Sequence, residues 1–204
     1  MSAAREYAQG EHYEWPRPPT GGWTADDLDR LPNLPPHTEL IDGNLVFMSP
    51  QTRFHTRTIH FLVSVLTAQA PEHLEAIAEM TIKLDKRNRP EPDVLVVPLA
   101  ADTGPRQTSF RPEDVILAVE VVSDDSVERD REVKPAKYAR AGFGHYWRVE
   151  ENEGLPVVYV YELDPATKSY GLSGIHHKQL KLDRPFPMDI DLTGVTRRGF
   201  TANG

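Results

Sequence analysis

The chain has 204 residues, 39% apolar and 26% charged, which is the balance of one folded domain and excludes a disordered or collagen-like polymer. It contains no cysteine, so disulfide staples, thiolate catalysis and cysteine-ligated zinc are ruled out. A net charge of −8 argues against a uniformly basic coat for nucleic acid, while leaving room for a local basic groove.

Residues 1–22 carry Pro16, Pro18, Pro19, Gly21 and Gly22 without any apolar period, and are expected to form a flexible arm. No apolar segment approaches the roughly 20 residues that cross a bilayer, and the N-terminus lacks a basic-then-apolar signal. A cytoplasmic protein with no membrane partner is expected. Thr24-Ala-Asp-Asp-Leu-Asp-Arg-Leu31 reads as a short helix capped by Thr24 and stopped by Pro32. Glu39 to Met48 reads as two short strands joined at Asp42-Gly43, a strong hairpin signal.

From about Thr52 to Ala70, the spacing of Ile59, Leu62, Val63 and Leu66 predicts an amphipathic helix whose exposed face carries Arg53 and Arg57. Strands are expected over Glu75–Leu84 and Asp93–Val97, with a turn over 85–90 between them and a polar loop over 101–112 after them. The run Val115-Ile-Leu-Ala-Val-Glu-Val-Val-Ser123 follows. So continuous an apolar run reads as a strand covered on both faces, and Glu120 in its middle needs a compensating partner. Asp93 stands at the mouth of another apolar strand. Two acids on neighbouring strands would form an oxygen-lined pocket for a hard divalent cation. The positive charge falls on either side of these acids, at Lys83, Lys86, Arg87 and Arg89 and again from Arg129 to Arg140, a distribution that suits a phosphate-bearing ligand.

Ser126 to Ala141 reads as a helix interrupted by Pro135, regular from about Glu132 and ended by Gly142 or Gly144. Strands are predicted at His145–Val149, Pro156–Leu163 and Ser169–Leu172. The whole is an α/β (α+β) domain on a mixed sheet. Simpler readings stand beside the functional ones: Glu120 paired with Arg148, Asp93 as a turn residue, His55 as a hydrogen-bonded histidine, and Tyr146 and Trp147 as core aromatics. His176-His177 has no third ligand at metal spacing.

Taken in order, Glu39-Leu-Ile-Asp-Gly43, Pro92-Asp93, Glu120-Val-Val-Ser123, Asp130-x-x-x-Lys134-x-x-x-Tyr138 and Ala141-Gly-Phe-Gly-His-Tyr-Trp147 resemble the Uma-two family of restriction-endonuclease-like proteins. The resemblance implies a PD-(D/E)XK nuclease domain over residues 23–195, with a mixed central β-sheet flanked by helices and a C-terminal tail over 196–204. It also implies Mg²⁺- or Mn²⁺-dependent endonuclease action on DNA, with Asp93 and Glu120 as metal ligands. Val122 stands where such nucleases place their lysine, and the family pattern points instead to Lys134, with Lys137 as the fallback. Glu39 matches an additional acid near the metal, and Tyr138, one turn beyond Lys134, would steady the lysine or touch phosphate. Arg53, Arg57 and Lys137 are the expected nucleic-acid contacts, and a homodimer is expected. The competing reading is a catalytically degenerate module on the same fold that binds nucleic acid or a protein partner.

Overall fold

The computed structural model describes residues 17–196. Most of the expected N-terminal arm, and the C-terminal tail apart from Thr196, lie outside the described residues. The helix expected over Thr24–Leu31 does not form; only one 3-10 turn, Asp27–Asp29, is present. Its acids are committed to other partners, because short polar side chains that bond nearby backbone compete with helix. The Asp27 carboxylate accepts from the Thr24 N–H at 2.8 Å and from its hydroxyl at 2.7 Å.

Asp29 instead reaches Nη1 of buried Arg89 at 2.9 Å and Nζ of Lys83 at 3.2 Å. Burial alone would raise the Asp29 pKa, but hydrogen bonds from Arg89 and Thr108 bring it down from 3.8 to about 2. A depressed carboxylate contributes stability that is present above its unfolded value and is lost as pH falls through its folded one. The side chain is 34% exposed, so solvent screening reduces this contribution to about 1 kcal/mol. Asp29→Asn should therefore lower unfolding free energy by about that amount at pH 7, with the two urea curves converging near pH 2. A gap that persists unchanged at pH 2 would contradict this assignment.

The hairpin forms as its turn dictates. Strands β1 (Glu39–Ile41) and β2 (Asn44–Val46) pair antiparallel, and Asp42 and Gly43 take φ of +52° and +81°, both positive as a two-residue I′ turn requires. Helix α1 (Arg53–Gln69) starts where Thr52 accepts the His55 N–H at 3.2 Å, and buries Ile59, Leu62 and Leu66. The strand expected over Glu75–Leu84 is broken in two, β3 (Leu74–Ala78) and β4 (Thr81–Ile82), by Glu79 at φ +53°. After β5 (Val94–Pro98), the expected polar loop contains β6 (Ser109–Phe110), which pairs in parallel with β4.

Strand β7 (Leu117–Val121) is followed by a wide π turn, Arg129–Val133, and then by helix α2 (Lys134–Ala141). Strands β8 (His145–Asn152), β9 (Leu155–Asp164) and β10 (Ser169–His176) complete the sheet. A final hairpin of β11 (Gln179–Leu182) and β12 (Met188–Asp191) was not expected. The sheet order is β10-β9-β8-β7-β5-β3. Its only parallel pair is β7 with β8, and α2 lies in the crossover that such a pair needs.

Side chains alternate between the two faces. Val94 and Val96 of β5 and Leu117, Val119 and Val121 of β7 pack with Ile59, Leu62 and Leu66 of α1. Leu95, Val97 and Ala118 face the other way, into a cluster with Tyr138, Phe143 and Tyr146. Glu120 shares the parity of Ala118, so it enters the face that α2 covers. Among the described residues no helix is long and apolar enough to cross a membrane.

Candidate active site

Glu120 finds its compensating cation on α2. Lys134 Nζ stands 2.9 Å from Glu120 Oε2, 2.9 Å from Glu39 Oε1 and 3.5 Å from Asp130 Oδ1. The Tyr138 hydroxyl donates to Glu120 Oε1 at 2.6 Å. All five side chains are buried, Lys134 to 2% exposure.

Pro135 has no N–H to close an ordinary helical turn, and here the chain widens ahead of it. The Lys134 N–H bonds to Arg129 O, five residues back, and regular helix starts at Lys134 itself. Lys134 and Tyr138 are four apart and share the face turned to the sheet. Gly142, at φ +92°, ends the helix with its N–H on Tyr138 O and Ala139 O.

Burial pushes the Glu120 carboxyl well up, and Asp130, Asp93 and Glu39 push the same way against the pull of Lys134. Burial would discharge Lys134, but Glu120, Glu39 and Asp130 together hold its ammonium well above the usual range. Burial, with the charges of Glu120 and Glu39, keeps the Tyr138 hydroxyl protonated. Asp130 is likewise raised by burial.

Asp93 stands just before β5, one step beyond the Val94 and Val119 pairing and therefore opposite Glu120. Its Oδ2 accepts the Val121 N–H at 2.6 Å, and its Oδ1 lies 3.3 Å from His55 Nε2. Burial, the largest single influence, opposes charge on His55, but the hydrogen bond to Asp93 together with the charges of Asp93, Glu79 and Asp130 outweighs it and raises the imidazole pKa. Glu39 Oε1 also accepts the Glu91 N–H at 2.7 Å, and the Glu91 carboxylate meets His37 Nδ1 at 2.6 Å. A cleft of about 430 Å³ opens over these groups, with His37, Glu39, His55, Glu91 and Asp93 in its walls and Pro36 and Pro50 at its margins. Among the described residues that line it, none is Lys or Arg.

Three carboxylates, Glu39, Glu120 and Asp130, thus enclose one ammonium with Asp93 acting on it from further off, and Glu39 Oε2 is buried without a hydrogen-bond partner. That surplus of oxygen donors and negative charge fits a hard divalent cation. Among the described residues no three acidic or histidine side chains form a closed coordination set. An open set of one or two carboxylates is what Mg²⁺ uses, the remaining positions going to water and phosphate.

The other expected site residues fall elsewhere. Arg53 is exposed and Arg57 half-exposed on the first two turns of α1, the helix that brings His55 to the cleft. Lys137 does not substitute for Lys134: its Nζ is bonded to Asp42 Oδ1 at 2.6 Å, tying α2 to the β1–β2 turn with the side chain 13% exposed. Arg148 is the register neighbour of Glu120, yet its guanidinium lies over the Tyr159 ring and its Nε meets Glu150 Oε1 at 2.8 Å. Tyr146 and Trp147 are core residues, and His176 Nδ1 lies 3.3 Å from Gln179 O. Sequence reasoning gave Asp130 no role beyond its place in the family motif, although its position four residues before Lys134 is the spacing of a helical ion pair. Glu91 and His37 gave no pattern to find, being joined only by the tertiary fold.

A mixed sheet carrying acids at the mouths of adjoining strands, with a lysine delivered by the next helix, defines a restriction-endonuclease-like nuclease fold. The chain belongs to the Uma2 family: the family described as "Uma2: Putative restriction endonuclease" matches residues 25–194. Among solved structures, it is similar to the "putative nuclease belonging to DUF820" from Anabaena variabilis ATCC 29413. The TM-score is 0.63 at 16% identity, over 84% of this chain and 96% of that one. At that identity the likeness shows the fold. Comparison with the curated proteins gives no match.

Proposed function

We propose that this site hydrolyses phosphodiester bonds of DNA as a Mg²⁺- or Mn²⁺-dependent endonuclease. The observation that carries the reading is the acidic lining of the cleft, with Glu39, Glu79, Glu91 and Asp93 in its walls. A phosphate entering the cleft meets carboxylates and no Lys or Arg among the described lining residues, so a cation placed between them would ease its approach. Asp93 and Glu120 would hold that cation, with Glu39 as the additional acid. Bound there, such a cation would polarise the phosphate and lower the pKa of a bound water.

The protein's own groups prepare the site for this. Asp93 is held by the Val121 N–H, while Tyr138 and Lys134 fix the two oxygens of Glu120. Lys134 also joins Glu39 to Glu120, so both acids are oriented by one charge. Arg53 and Arg57 on α1 are available to the phosphates flanking the scissile one, where they would position the strand without reading its sequence.

The test is nicking of supercoiled plasmid in Mg²⁺, Mn²⁺ or EDTA. Wild type should nick only with a divalent cation, and Asp93→Asn should be slower by about a hundredfold or more. A wild type that neither nicks nor binds Mg²⁺ by calorimetry refutes the proposal. One observation favours the degenerate module instead. Lys134, enclosed by three carboxylates, is not presented to a phosphate. Metal binding that depends on Asp93 and Glu120 without any cleavage would decide for that reading.

A further inference from the structure

The acids of the site are not all held in the same way. Glu39, Glu120 and Asp130 are tied together by Lys134, on the α2 side of the sheet. Asp93 makes no direct contact with that ammonium, and at 14% exposure it is the acid of this group that reaches furthest toward solvent in the cleft. Its carboxylate is gripped from two other directions, Oδ2 by the backbone of β7 and Oδ1 by the His55 imidazole from the first turn of α1. His55 is 5% exposed and shares the cleft wall with Asp93. The start of α1 is already capped by Thr52, so helix termination does not account for an imidazole at this position.

We infer that His55 is a positioning residue for Asp93: by holding Oδ1 from α1 while Val121 holds Oδ2, it fixes the rotamer of that carboxylate and thereby sets the affinity of the cleft for a divalent cation. The inference rests on the reading of Asp93 as a metal ligand. Each strand-mouth carboxylate then has its own helix: Glu120 is set by Lys134 and Tyr138 of α2, and Asp93 by His55 of α1. An unfixed Asp93 would spend part of its time turned from the cleft, and the loss of such an outer partner usually weakens metal binding about ten- to hundredfold.

Glutamine and asparagine separate this role from a merely structural one. The amide nitrogen of glutamine can occupy the place of the imidazole Nε2, whereas that of asparagine falls near Nδ1, short of Asp93. The full chain, as wild type, His55→Gln, His55→Asn and His55→Ala, is titrated with MnCl₂ by calorimetry, and the melting temperature of each is recorded.

The expected result is Mn²⁺ affinity near wild type for His55→Gln and a ten- to hundredfold loss for His55→Asn and His55→Ala at similar melting temperatures. Should His55→Ala fail to fold, the Gln and Asn pair carries the test. Equal affinity in His55→Gln and His55→Asn, whether both retained or both lost, overturns the inference while leaving Asp93 as a ligand. A wild type that takes up no Mn²⁺ overturns both this inference and the reading on which it rests.

Discussion

Lys134→Met should cost the fold about 3–5 kcal/mol, the range for removing one partner of a buried ion pair. The ammonium is buried and bonded to Glu120 and Glu39 at 2.9 Å each, with Asp130 at 3.5 Å. Methionine fills a similar volume but leaves these carboxylates facing one another with nothing to neutralise them. They can recover only by taking up protons, which gives the variant a distinctive pH dependence.

The Lys134 pKa is raised in the fold, so in wild type its contribution is fully present below the unfolded lysine value and is lost only as pH rises through the folded one. Glu120 and Asp130 are also raised, and a raised carboxyl favours the fold below its unfolded value and disfavours it as pH climbs through the folded one. Without the ammonium nothing opposes that trend. The variant should therefore lose stability steadily from pH 5 to pH 8, while wild type changes far less. Urea unfolding at both pH values measures this, and equal midpoints for the two proteins would show that Lys134 does not neutralise the cluster.

Glu120→Gln should separate activity from stability. The amide keeps the length of the side chain and can still accept from Tyr138 or Lys134, although not from both. Lys134 keeps Glu39 and Asp130 as partners, so an uncharged stand-in should cost less than the loss of the ammonium, about 1–2 kcal/mol. Divalent-dependent plasmid nicking should nevertheless fall by about 10²- to 10³-fold, because a ligand charge is gone. Nicking that survives in a folded Glu120→Gln protein would remove Glu120 from the reacting centre.

The parts of this molecule legible in its sequence are those with a local cause. Asp42-Gly43 predicts its turn because both residues accept positive φ, and Thr52 with the Ile59, Leu62 and Leu66 stripe predicts α1 within a residue at each end. Glu120 signals from its apolar run alone that a partner exists. Its partner is not legible from that run: Arg148 is as plausible in sequence, and only the family motif points to Lys134.

Where tertiary contacts decide, the reading misses. The acids after Thr24 favour a helix until buried Arg89 claims Asp29. Glu79 reverses a strand that its neighbours favour. The alternation of Gln179-Leu-Lys-Leu and Met188-Asp-Ile-Asp is a period-two signal, short enough to pass as loop. The His55 and Asp93 contact joins positions too far apart in sequence for any spacing rule to connect them.

The wide turn before α2 sets the phase of everything after it. Successive residues of a helix are rotated by about 100°, so the one surplus residue accommodated between Arg129 and Lys134 decides which side of the helix meets the sheet. Dropping a single residue from that segment would swing the amine and the phenol away together, as one rigid tooth, while leaving the composition of the helix untouched. The count of residues between Ser123 and Lys134 thus decides which side chains of α2 reach Glu120 as firmly as the identity of the lysine does.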